Sequence, residues 1–179
     1  MASKDGKKFE VDIKNSCEKE LIFFDRIKDG YVPPEYRGKI PQHKNKYDCY
    51  IFGNHHLFPV EMKSTQDNKI SFSESIIKQH QIDNLFWAAK FEGIIPGFIF
   101  NFRSFDNETY FVHINEFCKY KEAVENKVND FAYVKLNKRS MPIEVCRQIG
   151  IKINNIKKKV NYHYFIKEFI DVAVQKYGE

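Results

Sequence analysis

Residues 47–63 read YDCYIFGNHHLFPVEMK, in which two short apolar runs lie on either side of a glycine and an asparagine. The runs predict two strands, Tyr47–Phe52 and Leu57–Lys63, joined by a tight turn. Because side chains two residues apart in a strand point to the same face, Glu61 and Lys63 are expected to project together. The opposite face of the second strand is apolar, so this strand is predicted to lie over a core.

Asp48 adds a second carboxylate to this pair. If the two strands are neighbours, Asp48 comes close to Glu61 and Lys63 at one end of a small sheet. Hydrolysis of a phosphodiester uses a hard cation, and Mg²⁺ binds through one or two carboxylates, with a nearby ammonium stabilising charge on the phosphate. The alternative is a solvated face, since an acid-x-Lys pattern on a strand is common and contributes little energetically.

Two further polar residues favour the catalytic interpretation. Glu10 follows Phe9 at the edge of an apolar helical stripe and can face the sheet; the alternative is an ordinary first-turn glutamate favoured by the helix dipole. Gln81 interrupts an apolar stripe between Ile77 and Leu85, and a buried glutamine needs hydrogen-bond partners. A catalytic or metal-bound water would serve as a partner, and so would backbone groups.

Hydrophobic periodicity gives the remaining elements and the fold class. The pattern predicts a first helix over Lys7–Ile27, followed by a basic loop over residues 28–46. The order of elements predicts an α/β fold with a mixed central β-sheet flanked by α-helices. The later elements predicted are a helix over Ser73–Phe91 with Ser73 as N-cap, strands Ile94–Phe102 and Thr109–Ile114 around a hairpin at Asp106-Asn107, and helices over Asn115–Glu125, after Pro142 and over Tyr164–Lys176.

Length and composition bound the class of protein. The 179 residues are 42% hydrophobic and 30% charged, which predicts a single domain over residues 1–179 and excludes disordered and collagen-like chains. The net charge of +5 makes an anionic partner the first to test. Without an apolar leader or membrane span, the chain is expected in the cytoplasm with no membrane partner. Four widely spaced cysteines predict buried free thiols rather than a zinc site: Cys17, Cys49, Cys118 and Cys146.

In their order and spacing, these motifs resemble the PD-(D/E)xK nuclease superfamily, and more closely the RecU-type Holliday junction resolvases. The resemblance implies a restriction-endonuclease-like core. It also implies a homodimer that uses Mg²⁺, for which Mn²⁺ substitutes, to make paired cuts in four-way DNA during recombination and repair, with recombination proteins as further partners. The matching segments are residues 6–13 (GKKFEVDI), Tyr47-Asp48, residues 61–65 (EMKST), 80–82 (HQI), 107–110 (NETY), 139–142 (RSMP) and 160–162 (VNY).

The same resemblance assigns roles to the candidate site residues. The metal-binding acids correspond to Asp48 and Glu61, with Glu10 as an additional acid. Lys63 corresponds to the catalytic lysine, and Gln81 to a residue that assists in the site. All five are therefore predicted to be catalytic.

Two departures from the family pattern qualify this prediction. Tyr47 stands where bacterial members often carry a threonine, and the long basic stalk of the family is reduced here to residues 28–46. The chain is thus expected to be a shortened-stalk, phage-type member. The short segment leaves open a restriction-like or repair nuclease with another substrate. A DNA-binding protein that keeps the fold but does not cut is a third hypothesis.

Basic residues flank the acids along the sequence and are predicted to contact DNA phosphates. A further run, Lys157–Lys159, lies near the end of the chain, where a solvated charged face and a DNA contact are both open. The residues predicted to bind DNA are Lys7, Lys8, Arg37, Lys39, Lys44 and Lys46.

Overall fold

The computed structural model describes residues 4–27, 33–36, 38–39, 45–126 and 139–178. Its helices are α1 (Lys4–Lys19), α2 (Gln79–Ala88), α3 (Ile114–Asn126), α4 (Ile143–Ile149) and α5 (Ile166–Tyr177), with a short 3-10 turn at Pro34–Tyr36. Its strands are β1 (Phe23–Arg26), β2 (Cys49–Gly53), β3 (His56–Thr65), β4 (Lys69–Ser71), β5 (Gly97–Phe102), β6 (Glu108–His113), β7 (Ser140–Pro142), β8 (Ile151–Lys152), β9 (Asn155–Lys157) and β10 (Tyr162–Tyr164).

Six strands form a central mixed sheet in the spatial order β1-β2-β3-β5-β6-β8. Strands β3 and β5 are parallel, and the other neighbours are antiparallel. A parallel pair needs a long crossover connection, which here carries α2. Two smaller two-stranded sheets pair β4 with β7 and β9 with β10. The predicted α/β class, a mixed sheet flanked by helices, is confirmed.

The sheet separates two hydrophobic cores. On one face, α1 and α5 pack over Val60 and Met62 of β3 and Ile99 of β5. On the other face, α2, α3 and α4 pack over Phe98 and Phe100 of β5. Successive residues of β5 therefore enter different cores, as the alternation of side chains in a strand requires. Burying each large apolar side chain stabilises the fold by about 1.5–3 kcal/mol relative to leaving it exposed.

The predicted strands and their turns are found close to their predicted positions. Asn54 and His55, at φ 47° and 61°, make the turn between β2 and β3. Asp106 and Asn107, at φ 48° and 55°, lie in the hairpin between β5 and β6. Asparagine, aspartate and histidine tolerate the left-handed region better than most other non-glycine residues, which explains all four positions.

The predicted first helix, Lys7–Ile27, is wrong beyond Lys19. The amide of Ile22 donates to the carbonyl of Cys17 at 2.9 Å, and Leu21 adopts φ 57°, which closes the helix with a left-handed residue. The chain then enters β1, which pairs with β2. An edge strand therefore replaces the last two turns of the predicted helix.

The predicted helix over Ser73–Phe91 begins later, at Gln79. The carbonyl of Ser73 accepts hydrogen bonds from the amides of Ile76 and Ile77 at 2.8 and 3.0 Å, so Ser73 starts an isolated turn. The residue before the helix is Lys78, in extended conformation at φ −84° and ψ 142°. Ser73 is therefore not the N-cap.

The cysteines are free thiols, as their wide spacing predicted. Cys17, Cys49 and Cys146 are buried, Cys118 is partly buried, and all four are free thiols. Burial raises the pKa of Cys17 to about 12, so this thiol is unreactive at neutral pH. Within the ranges given above, no helix combines the length and apolar character of a membrane span.

Candidate active site

Asp48 is held at the start of β2 by the neighbouring strand. Its amide donates to the carbonyl of Val60 at 3.1 Å, which extends the antiparallel pairing by one residue. Its carboxylate accepts a hydrogen bond from the amide of Met62 through Oδ2 at 2.8 Å. Asp48 is thus bonded to the residue before Glu61 and to the residue after it. These two hydrogen bonds place Asp48 beside Glu61, as the sequence predicted.

Glu61 is the buried centre of the site, with 1% of its surface exposed. Its Oε2 accepts hydrogen bonds from Lys63 Nζ at 3.2 Å and from Gln81 Nε2 at 2.7 Å. Glu61 and Lys63 project together from β3 toward α2, away from Val60 and Met62. A buried carboxylate with a cationic donor and an amide donor is held in one orientation.

The environment of Glu61 favours the protonated form, because its pKa is raised to about 8. Burial is the main cause, and the charge of Asp48 adds to it, together with a hydrogen bond between the two carboxyl groups. Lys63 acts in the opposite direction but does not compensate. With both acids ionised, the site would carry more negative charge than Lys63 alone can balance.

Gln81 connects the beginning of α2 to the carboxylate. Its Oε1 accepts from the amide of Lys78 at 3.1 Å, while its Nε2 donates to Glu61. Only 8% of its surface is exposed. Both ends of the amide are thus used, which accounts for a glutamine in an otherwise apolar stripe. Its partners are a backbone amide and a carboxylate of the site.

Glu10 approaches the same region from α1, on the other face of the sheet. Its side chain is 12% exposed, and its Oε2 forms an ion pair with the guanidinium of Arg26 at 2.8 Å. Burial raises the pKa of Glu10; Arg26 lowers it, and the charge of Asp48 raises it again. Glu10 is therefore within electrostatic range of Asp48, but its direct partner is an arginine.

Arg26 is a residue that the sequence reasoning missed. The apolar periodicity places it at the end of the first helix, whereas it lies in β1 directly opposite Cys49 of β2. Its position next to the Asp48 strand follows from the pairing of β1 with β2. The alternation in Phe23–Arg26 is too short to signal a strand.

Tyr47 has a structural role next to the site. It is 3% exposed, and its hydroxyl donates to the carbonyl of Asn84 in α2 at 3.1 Å. The residue before Asp48 thus fixes the start of β2 against the helix that carries Gln81. This hydrogen bond aligns two elements that supply the site.

The residues predicted to bind DNA differ in their surroundings. Lys7 is exposed on α1, and its charge lowers the pKa of Glu10. Lys46 lies 5.1 Å from the ring of Trp87 on α2, and Lys39 is exposed in a turn. Lys8 donates to the carbonyl of Val160 at 2.8 Å. Arg37 and Lys44, which were also predicted to bind DNA, lie outside the described residues.

The oxygen donors at the site suit a hard divalent cation. Asp48 and Glu61 supply carboxylate oxygens, and a bound cation would relieve the repulsion between them when both are ionised. In the described part of the chain, no three Asp, Glu, His or Cys side chains stand close enough to hold an ion by themselves. Mg²⁺ commonly keeps waters and substrate phosphate oxygens in addition to one or two carboxylates, so two acids are sufficient.

Comparison with known proteins identifies the family. The family model for RecU, Recombination protein U, matches residues 41–159, about two thirds of the chain. The chain belongs to the RecU family. The matched part contains Asp48, Glu61, Lys63 and Gln81, whereas Glu10 lies before it.

One relative and one solved structure extend this comparison. The SPbeta prophage-derived uncharacterized protein YotM of Bacillus subtilis (strain 168) is 45% identical over 177 residues, which cover 98% of this RecU-family chain and 89% of the relative. Hjc, a Holliday junction resolvase from Archaeoglobus fulgidus, is 13% identical with a TM-score of 0.49, covering 82% of this chain and 95% of that chain.

Proposed function

We propose that the protein is a metal-dependent DNA endonuclease that resolves Holliday junctions in the cytoplasm during recombination and repair. The observation that carries the proposal is the buried Glu61, held by Lys63 and Gln81 beside the carboxylate of Asp48. A purely structural glutamate has no need of a second acid next to it, since this raises the free energy of the charged form. Membership of the RecU family supports the same assignment.

Asp48 and Glu61 would hold Mg²⁺, and Mn²⁺ is expected to substitute. When bound, the ion acidifies a water and neutralises charge on the phosphate. The main-chain amide of Met62 fixes the Asp48 carboxylate, so one of the two ligands is oriented before the ion arrives. Glu10 contributes negative charge close by and would join the ligands only by leaving Arg26.

Lys63 is assigned the role of the catalytic lysine. Its side chain is 19% exposed, and its Nζ lies 3.2 Å from Glu61 Oε2. The ammonium can therefore keep its bond to the buried acid while facing the substrate. There it orients the attacking water or stabilises charge on the scissile phosphate. Gln81 is a positioning residue, because it acts on the reaction through Glu61.

The proposed enzyme acts as a homodimer on branched DNA. A four-way junction has two equivalent strands to cut, and two copies related by a two-fold axis would present two sites to them. Paired cuts then follow from the symmetry of the assembly. Recombination proteins are further candidate partners.

The direct test incubates the protein with a labelled four-way DNA junction and Mg²⁺. The wild type is expected to cut both strands symmetrically, and Glu61→Gln to cut at least about 100-fold more slowly while still binding the junction. Glu122→Gln, an exposed acid on α3, is the matched control and should cut like the wild type. Mg²⁺ should raise the unfolding temperature of the wild type and of the control, but not of Glu61→Gln.

Three other outcomes would contradict the proposed function or the assigned site. Cleavage of linear duplex without cleavage of the junction would favour a restriction-like or repair nuclease, the alternative that the shortened basic segment keeps open. Binding without any cleavage would favour a non-cutting DNA-binding protein. Equal cleavage by wild type and Glu61→Gln would refute the assigned site.

A further inference from the structure

The β9–β10 hairpin lies in a strongly basic part of the chain. Residues 145–167 contain six lysines and arginines and no acid, against a net charge of +5 for the whole chain. Three of the six, Lys157–Lys159, lie at the end of β9 and in the turn that follows, and all three are exposed. The amide of Lys158 donates to the carbonyl of Asn161 at 2.7 Å, which closes the turn.

The hairpin is fixed along α1 by three hydrogen bonds in register. Lys8 Nζ donates to the carbonyl of Val160 at 2.8 Å, and Asp12 Oδ2 accepts from the amide of Tyr162 at 3.2 Å. Ser16 Oγ accepts from the amide of Tyr164 at 3.0 Å. Positions four apart on a helix rise by about 6 Å, close to the spacing of two residues in a strand, about 6.6 Å.

The turn nevertheless projects into solvent. Val160 is 70% exposed although its carbonyl is bonded to Lys8. All residues from 156 to 161 are exposed. The hairpin therefore presents its positive charges on a rigid support, with an orientation set by α1.

The same helix carries Glu10 of the candidate active site. At about 100° per residue, Glu10 lies on the side of α1 opposite Lys8 and Asp12. The hairpin is thus on the side of α1 away from Glu10. DNA that extends from the acids past this helix would meet the lysines of the hairpin.

We propose that the β9–β10 hairpin is a second DNA-binding element, in which Lys157, Lys158 and Lys159 contact phosphates of the arm that is cut. The inference rests on the proposed function, because it takes branched DNA as the substrate. The hairpin supplies positive charge from a part of the sequence far from the basic residues that flank the acids. It acts on binding, since none of its lysines touches Glu61 or Asp48.

The experiment measures binding of the full chain to a four-way junction in EDTA, at a series of salt concentrations. In the variant with Lys157→Gln, Lys158→Gln and Lys159→Gln, the affinity is expected to fall at least about tenfold at physiological salt. The plot of log K against log salt should become shallower. The magnitude of its slope should decrease by about 3, at roughly 0.9 for each phosphate that is no longer neutralised by a lysine. With Mg²⁺ and saturating enzyme, the single-turnover cutting rate should stay within about twofold of wild type, because the acids are unchanged.

A charge-matched control carries Lys90→Gln, Lys119→Gln and Lys121→Gln on and next to α2 and α3, across the sheet from the hairpin. It should keep the wild-type slope. The hairpin variant should keep the wild-type unfolding temperature because Lys157, Lys158 and Lys159 are exposed. The control loses the ion pairs of Lys119 with Glu116 and of Lys121 with Glu125, so circular dichroism is used to check that it is folded. An unchanged slope in the hairpin variant, or an equal loss in both variants, would overturn the inference while leaving the proposed function intact. If the wild type binds no four-way DNA at all, the proposed function itself fails.

Discussion

Glu61 destabilises the folded protein when it is charged, and the same surroundings suit it to bind a cation. Burial and a neighbouring carboxylate raise its pKa to about 8, which makes its charged form costly in the folded protein. The hydrogen bonds from Lys63 and Gln81 hold it in one place. Strongly perturbed acids of this kind cluster at functional sites, because the same features that shift the pKa favour a bound cation.

The pH dependence of stability tests this interpretation at Glu61. Its ordinary pKa is 4.5 and its folded-state pKa is about 8, so the contribution of the protonated acid is full below pH 4.5 and is lost as the pH rises through about 8. Glu61→Gln is therefore expected to be more stable than the wild type, by an amount that grows to a few kcal/mol between about pH 5 and pH 9. Urea unfolding in EDTA measures it, with Glu122→Gln as control. A difference that is constant with pH would contradict the raised pKa.

At the scale of elements, the beginning of α2 links the helix to the site. Gln81 bonds the amide of Lys78 and the carboxylate of Glu61, and the nearby Tyr47 bonds the carbonyl of Asn84. The helix is thus tied to β2 and β3 by polar contacts in addition to its apolar face. Its first turn sets the orientation of the buried acid.

Two alanine variants distinguish the true start of α2 from the predicted one. Gln81→Ala removes both bonds of the amide and is expected to lower the free energy of unfolding by about 1–3 kcal/mol and to slow cutting by roughly ten- to a hundredfold. Ser73→Ala should change stability by less than about 0.5 kcal/mol, because Ser73 lies in an exposed turn before the helix. Urea unfolding and junction cleavage measure the two effects. A larger loss of stability at Ser73 would restore it as the N-cap.

The sequence predicted the strands of the site well because two apolar runs are separated by a clear turn signal, and it predicted the helix ends poorly. The first helix ends at a left-handed Leu21, where glycine is the usual signal, so the pattern gave no reason to stop. The second begins at Gln79, after Lys78, which is not a typical capping residue, and the cap is completed by Gln81. The ion pair between Glu10 and Arg26 depends on β1, and its four residues are too few to show a period.

In the molecule as a whole, the central sheet supports two hydrophobic cores, one on each face. Phe58 lies in the core under α1 and α5, and Phe100 in the core under α2 and α3, each with 0% exposure. Because the central sheet contributes to both cores, we expect the two cores to unfold together. Residues 1–179 are accordingly expected to behave as a single domain.

Cooperative unfolding tests this expectation. Phe58→Ala and Phe100→Ala are each expected to lower the free energy of unfolding by about 3–5 kcal/mol and to leave one transition. Trp87, the single tryptophan, reports on α2, while far-ultraviolet circular dichroism reports on all elements. The two signals should coincide in urea for both variants. Separate midpoints in Phe58→Ala would show that the two faces unfold independently.

The bonds between α1 and the β9–β10 hairpin also set the order in which the protein can be completed during translation. Ser16 and Tyr164 are 148 residues apart in the chain. At about 5–20 residues per second, a ribosome needs roughly 7–30 s to travel from one to the other. Throughout this interval the helix that carries Glu10 lacks its partners along one side. Helix α1 therefore leaves the ribosome well before the hairpin that completes its contacts.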